Sequence, residues 1–128
     1  GRRGLIAVDT SVLVDWLDQI DSPEAQRVSG FARSGEGVVA PVTLTELLSD
    51  PKGGRTLEVA LVAFPILPLS DGYWERAGKL RAKVRKTGRK AALGDALIAQ
   101  ACIDNDVPLL TRDADFATFA KIGGLKLA

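Results

Sequence analysis

The sequence predicts an α/β fold in which helices sandwich a short, mostly parallel sheet. Three observations predict it. The chain has 128 residues, 46% of them hydrophobic and 26% charged, which suits one folded domain of about 100–150 residues. Short apolar runs alternate with segments of helical periodicity, the order of elements that builds βαβ units. The apolar runs lack period-two alternation, so they read as strands covered on both faces, as in parallel sheets.

Residues 5–8, Leu-Ile-Ala-Val, form the first strand and end in Asp9. Val12, Leu13, Trp16 and Leu17 follow at helical spacing. Ser22-Pro23-Glu24 opens a second helix, with proline at the first helical position. Ala25, Val28, Phe31 and Ala32 line its apolar face, and Gly35 ends it. Residues 37–40 form a second strand. A helix over residues 44–49 stops at Pro51 and the Gly53-Gly54 pair. Leu57, Ala60, Leu61 and Phe64 mark another helical stripe. Residues 65–69 read as a third strand, at an edge or shortened, because Pro65 and Pro68 cannot donate to a ladder. Ser70-Asp71 caps a long helix with Tyr73, Ala77, Leu80 and Val84 on one face, and Gly88 breaks it. A helix over residues 94–105, a fourth strand at 109–111, a short helix at 116–120 and a weak fifth strand at 125–127 complete the chain. The sheet thus has four to five strands, and residues 1–128 are expected to form one domain. Residues 1–4, Gly-Arg-Arg-Gly, are read as a disordered or non-native N-terminus.

Composition excludes several chemistries. With one cysteine, Cys102, the chain has no internal disulfide and no multi-cysteine zinc site. With no histidine, it has no Ser-His-Asp or Cys-His mechanism of its own. A metal site must therefore use oxygen ligands, which suit hard cations such as Mg²⁺ or Mn²⁺. The longest apolar run, residues 59–69, is about half of what a membrane span needs. No membrane partner and a reducing, cytoplasmic setting are expected. The net charge is only +1, yet residues 76–90 carry eight basic residues and no acid. A basic stripe on an otherwise acidic body suggests an anionic partner, or else a solvated helix face. Tyr73 and Trp74 are expected to lie partly in the core.

The acids are placed where parallel sheets build sites, beyond the carboxyl ends of strands. Asp9 ends the first strand, Asp113 and Asp115 follow the fourth, Glu46 lies in the helix after the second, and Asp95 opens a helix. Each has a plainer role open to it. Asp9 could cap a helix, Asp95 could sit there for the helix dipole, Glu46 could face solvent, and Asp113 and Asp115 could be loop residues. Together they point to a carboxylate cluster, whose mutual repulsion a divalent cation would relieve.

At these acids the chain resembles a known family. Val8-Asp9-Thr10-Ser11-Val12-Leu13, Thr43-Leu44-Thr45-Glu46-Leu47-Leu48, Leu93-Gly94-Asp95-Ala96-Leu97-Ile98-Ala99 and Leu110-Thr111-Arg112-Asp113-Ala114-Asp115-Phe116 resemble the four motifs of PIN-domain ribonucleases. The length, and the stretch from Trp74 to Lys90, look most like the VapC toxins of bacterial VapBC toxin–antitoxin pairs. The resemblance implies a three-layer α/β/α fold and Mg²⁺- or Mn²⁺-dependent hydrolysis of RNA phosphodiesters. It implies that Asp9, Glu46, Asp95 and Asp113 are the catalytic acids and metal ligands, with Asp115 as a further acid. Ser11 and Arg112 would support the pocket. Arg81, Arg85, Lys86, Arg89 and Lys90 would bind the RNA backbone. The implied partners are RNA, a VapB-like antitoxin and a second copy of the chain, and the expected products are 5′-phosphate and 3′-hydroxyl ends.

Four other readings stay open at this point. A PIN nuclease in RNA processing, rather than a toxin, would share the site, and the same pocket could serve a nuclease directed at DNA. A binding module without catalysis would use the basic stripe alone. A phosphatase or phosphate-receiver domain would require Asp9 to become phosphorylated and leaves the stripe unexplained.

Overall fold

In the computed structural model, residues 4–51 and 54–128 are described. Most of the N-terminal expectation, residues 1–3, lies outside them, as does Gly53. The elements are β1 (Ile6–Val8), α1 (Thr10–Leu17), α2 (Pro23–Ser34), β2 (Gly37–Val38), α3 (Pro41–Leu48), α4 (Gly54–Ala63), α5 (Tyr73–Lys86), α6 (Leu93–Asp104), β3 (Leu109–Leu110) and α7 (Phe116–Gly123).

The sheet is parallel, in the order β2-β1-β3. Ile6 pairs with Gly37, Ala7 with both Val38 and Leu109, and Val8 with Leu110. The third and fifth predicted strands shrink to single parallel bridges, Val39 with Ile66 and Leu109 with Leu127. At the first, Leu67 N–H donates to Val39 at 2.9 Å. Pro65 and Pro68 on either side have no N–H with which to extend the ladder.

Side-chain alternation across this register creates two cores, one on each face. Ala7, Val38 and Leu109 point into a cluster with Leu80 and Val84 of α5, Ile98 and Ala99 of α6, and Phe116 and Phe119 of α7. Val8, Val39 and Leu110 point the other way, to Val12 and Leu13 of α1, Val28 of α2, Leu47 of α3, and Phe64 just beyond α4. The result is a three-layer α/β/α sandwich. α3 touches α1 and α4 on one side and α6 on the other, so it crosses the sheet edge. The side chains of Leu57 and Leu61 lie outside the described ones; Ala60 and Phe64, their partners in the predicted stripe, are buried.

Local chemistry sets the helix ends. Ser22 Oγ accepts from Ala25 N–H at 3.0 Å with Pro23 behind it, and Gly35 closes α2 in the left-handed conformation. α5 starts at Tyr73 after left-handed Gly72, not at a Ser70 or Asp71 cap. Ser70 instead receives Arg76 Nη2 on its hydroxyl. α6 is apolar around most of its circumference and accordingly buried at Ala96 and from Ile98 to Cys102. Trp74 corrects one expectation. The inward face of α5 is Tyr73, Ala77, Leu80 and Val84, and one residue further is about 100° round the helix. Trp74 is therefore 64% exposed while Tyr73 is 2% exposed. Among the described residues, no helix is long and apolar enough to cross a membrane.

Gly37 lies close under the Phe64 ring, since a Cβ there would lie 2.4 Å from Phe64 Cε1. Phe64 is fully buried, with the Trp16 ring edge-on at 5.4 Å. Gly37→Ala should therefore destabilise the fold by about 1–3 kcal/mol. Phe64→Leu in the same chain should recover part of that loss. Urea unfolding of the two variants checks this, and an unchanged midpoint for Gly37→Ala would contradict the packing described.

Candidate active site

The carboxyl ends of β1 and β3 lie side by side, with Asp9 N–H donating to Leu110 C=O at 3.0 Å. This backbone bond brings together the loops that carry Asp9 and Asp113. Asp9 precedes α1 but does not cap it with its side chain. Its Oδ2 instead accepts from Ser11 Oγ at 3.1 Å and from Thr111 Oγ1 at 2.8 Å. Thr111 Oγ1 also accepts from Asp113 N–H at 3.0 Å, and Asp113 Oδ1 from Asp115 N–H at 2.9 Å. Two successive side-chain turns thus shape the loop after β3, and one hydroxyl joins it to Asp9.

Asp95 enters from the first turn of α6. Carboxylate oxygens of Asp95, Asp113 and Asp115 lie within 4.8 Å of one another. Glu46 comes from α3, where Thr10 Oγ1 donates to its Oε1 at 2.6 Å, and Thr10 Oγ1 in turn lies 3.0 Å from Thr43 Oγ1. Its Oε2 lies over the start of α6, 3.0 Å from where a Cβ on Gly94 would stand. Any larger residue at position 94 would crowd this carboxylate.

The crowding has an electrostatic signature. Burial, then the charges of Asp113, Asp9, Glu46 and Asp115, push the Asp95 carboxyl up to about 6. Burial is also the main cause raising Asp9, opposed by its hydroxyl donors and reinforced by Asp113. All five acids named from the sequence therefore share one site. Asp115, treated there as the auxiliary acid, belongs to the tightest trio, while Asp9 and Glu46 flank it. The donor set is all oxygen, held close and electrostatically unsatisfied, and this fits a hard divalent cation. Cys102 offers no alternative nucleophile, since burial pushes its thiol up to about 12.

The basic residues divide more sharply than their sequence suggests. Arg112 forms an ion pair with the buried Asp15 of α1, so it ties the β3 loop to α1. Arg81 Nε donates to Ala91 C=O at 2.8 Å, and Arg76 pairs with Asp104 at 2.6 Å. Arg85, Lys86, Arg89 and Lys90 are exposed. Sequence reasoning missed Thr10, Thr43, Asp15 and Thr111. Only Thr111 left a signal: a hydroxyl at a strand end, two residues before an Asp, is a side-chain turn pattern.

This fold and this acid cluster define a PIN-type α/β/α domain. The PIN domain family matches residues 6–122, and the chain belongs to that family. It is 29% identical over 132 residues to VapC ribonuclease Mb1587 of Mycobacterium bovis, covering 97% of this chain and 98% of that protein. The same identity and coverage hold for ribonuclease VapC11 of Mycobacterium tuberculosis. Among solved structures, a chain of VapBC2 from Rickettsia felis, bound to a DNA fragment from its promoter, superposes with a TM-score of 0.74 at 20% identity, over 97% of both chains. A chain of VapBC-5 from Mycobacterium tuberculosis gives 0.69 at 23% identity, again over 97% of both. These structures share the fold.

The Asp95 carboxyl titrates near 6 in the fold against an ordinary value of 3.8. Between those values the folded chain keeps a proton that the unfolded chain has lost, so stability falls as pH rises through that window. In the absence of divalent metal, Asp95→Asn should melt above the parent at pH 7, and the difference should disappear below about pH 4. Thermal melts across pH measure this, and a variant less stable than the parent at pH 7 would contradict it.

Proposed function

We propose that the chain is a toxin-like endoribonuclease of a VapBC-type pair, hydrolysing RNA phosphodiesters at the five-acid site. The observation that carries this reading is the convergence of acids from four separate segments on one edge of the sheet, at the positions of the PIN motifs. The VapC ribonucleases related to this chain over nearly its whole length support it.

Asp9, Asp95, Asp113 and Asp115 would hold Mg²⁺ or Mn²⁺, with Glu46 joining them directly or through water. Such a cation, when bound, neutralises a phosphodiester and acidifies water. The chain's own groups orient the reaction. Glu46, fixed through Oε1 by Thr10, uses Oε2 to position the attacking water and take its proton. Thr111 and Ser11 hold Asp9, and Thr111 fixes the Asp113 loop. Attack by an external water leaves a 5′-phosphate and a 3′-hydroxyl. Arg85, Lys86, Arg89 and Lys90 contact the RNA backbone, and such contacts supply affinity rather than sequence choice. Arg81 and Arg112, whose guanidinium groups have protein acceptors, act mainly through those acceptors.

A VapB-like antitoxin restrains the enzyme, a reading supported by the VapBC complexes among its structural neighbours. Val62 and Val59 of α4, 91% and 46% exposed, offer an apolar face for such a partner to cover. For the homodimer, the exposed Trp74 of α5 is an apolar residue that a second copy could cover.

A mixed pool of structured RNA incubated with Mg²⁺ or Mn²⁺ should yield discrete cuts with 5′-phosphate ends. EDTA and Asp9→Ala should each abolish them. Cuts that survive both, or 2′,3′-cyclic ends, would contradict the mechanism. Thr111→Val should lower cleavage about 10–100-fold, the usual cost of losing a group that orients a ligand, while Thr111→Ser should retain most of it. Equal rates for the two variants would show that the hydroxyl has no such role.

A further inference from the structure

The cations of this chain are of two kinds. Arg76, Arg81, Arg112 and Lys126 each have an internal acceptor, in Asp104, Ala91 C=O, Asp15 and Asp106 respectively. Arg89 and Lys121 have no such partner among the described residues. These two line one groove of about 450 Å³, within the roughly 300–1,000 Å³ of ligand sites. Thr87 and Arg89, just after α5, and Thr118 and Lys121 of α7 line it together. Ala114 also lines the groove, and it stands between Asp113 and Asp115. The groove therefore opens within one residue of two of the acids.

The chemistry of the lining selects an occupant. Two unpaired cations want an anion. Ala114, Ala117 and Ile122 give the groove an apolar lining, hereafter its floor, which a bare phosphate would not use. Two threonine hydroxyls offer hydrogen bonds at the edge. An apolar peptide would satisfy the floor and waste the cations. A nucleotide uses all three features, with its phosphate, base face and base edge.

We infer that this groove seats one nucleotide of single-stranded RNA next to the bond that is cut. Arg89 and Lys121 grip its phosphate, and the base lies on the alanine floor. The inference rests on the nuclease reading of the acidic site and extends it. It makes Lys121, which lies far outside the basic stretch of residues 76–90, a substrate-binding residue. The strand must be single there, because a base inside a duplex has its faces covered by stacked neighbours and its edge taken by its partner. Lys79 and Lys83 line a different groove, against Gln100 and Ile103 of α6, and serve as the contrast.

The test is binding in EDTA, read by fluorescence anisotropy with a labelled single-stranded RNA oligonucleotide of mixed sequence, across a salt series. Arg89→Ala/Lys121→Ala should raise Kd at least about tenfold. It should also flatten the salt dependence by about 0.7, the slope of one single-strand phosphate contact. Lys79→Ala/Lys83→Ala should change both much less. Ala117→Leu, which fills the groove without altering charge, should weaken binding several-fold at an unchanged salt slope. Parental affinity in Arg89→Ala/Lys121→Ala would overturn the inference. So would parental affinity in Ala117→Leu, since the cations would then act without a seated nucleotide. Melting curves verify that each variant is folded. Because cleavage plays no part in the readout, the two claims fail separately. Binding through this groove by a chain that cuts no RNA with metal would overturn the nuclease reading and leave the groove standing.

Discussion

Everything at this site follows from burying Asp9, 5% exposed, at the end of the central strand. A carboxylate in that position loses hydration and must be repaid by donors or by a cation. Two hydroxyls, from Ser11 and Thr111, supply part of the repayment. The remaining acids make the debt larger, since Asp113 raises Asp9, and Asp9 in turn raises Asp95. A fold that only needed stability would not collect these charges. Their collection makes sense as preparation for a cation and an anionic substrate.

The parallel topology makes the collection possible. Every strand runs the same way, so each strand end, with the loop after it, faces the same edge. β1 contributes Asp9 directly and β3 delivers Asp113 and Asp115. α3 and α6 pack against each other across that edge, which brings Glu46 over Gly94. The glycine is what lets the two helices present acids so closely. The core on the other face, around Phe64 and Trp16, also holds Val8 and Leu110 and so fixes the strand ends that carry the site.

Much of this was legible in the sequence, and what was not has a physical reason. The buried strands and the helix stop at Gly35 follow from local rules. The five acids stood out only as a set, by their places after strands and in helices together with the motif resemblance, since each alone had a plainer role open to it. The outer strands did not reach their predicted lengths, because ladder length depends on partners far away in the chain. Nothing local marks which arginines are spent on internal partners. Arg112 meets Asp15, and Arg76 meets Asp104, only after the helices have packed. Lys121 is likewise unremarkable in sequence and reaches the basic loop only because α7 returns beside α5. Trp74 differs from Tyr73 by one helical step, too fine a distinction for a pattern of apolar residues to settle at a helix start.

The claim on which the account turns is that these acids form a cation site in which Asp95 holds its proton more tightly than an ordinary carboxyl does. Calorimetric titration of Mn²⁺ into the protein at pH 6, repeated in buffers of different ionisation enthalpy, tests it most directly. Burial and the neighbouring acids push the Asp95 carboxyl up to about 6, so binding at this pH should release protons, and Asp95→Asn should lower that release. Binding with no proton release, or equal release from the parent and Asp95→Asn, would contradict the account.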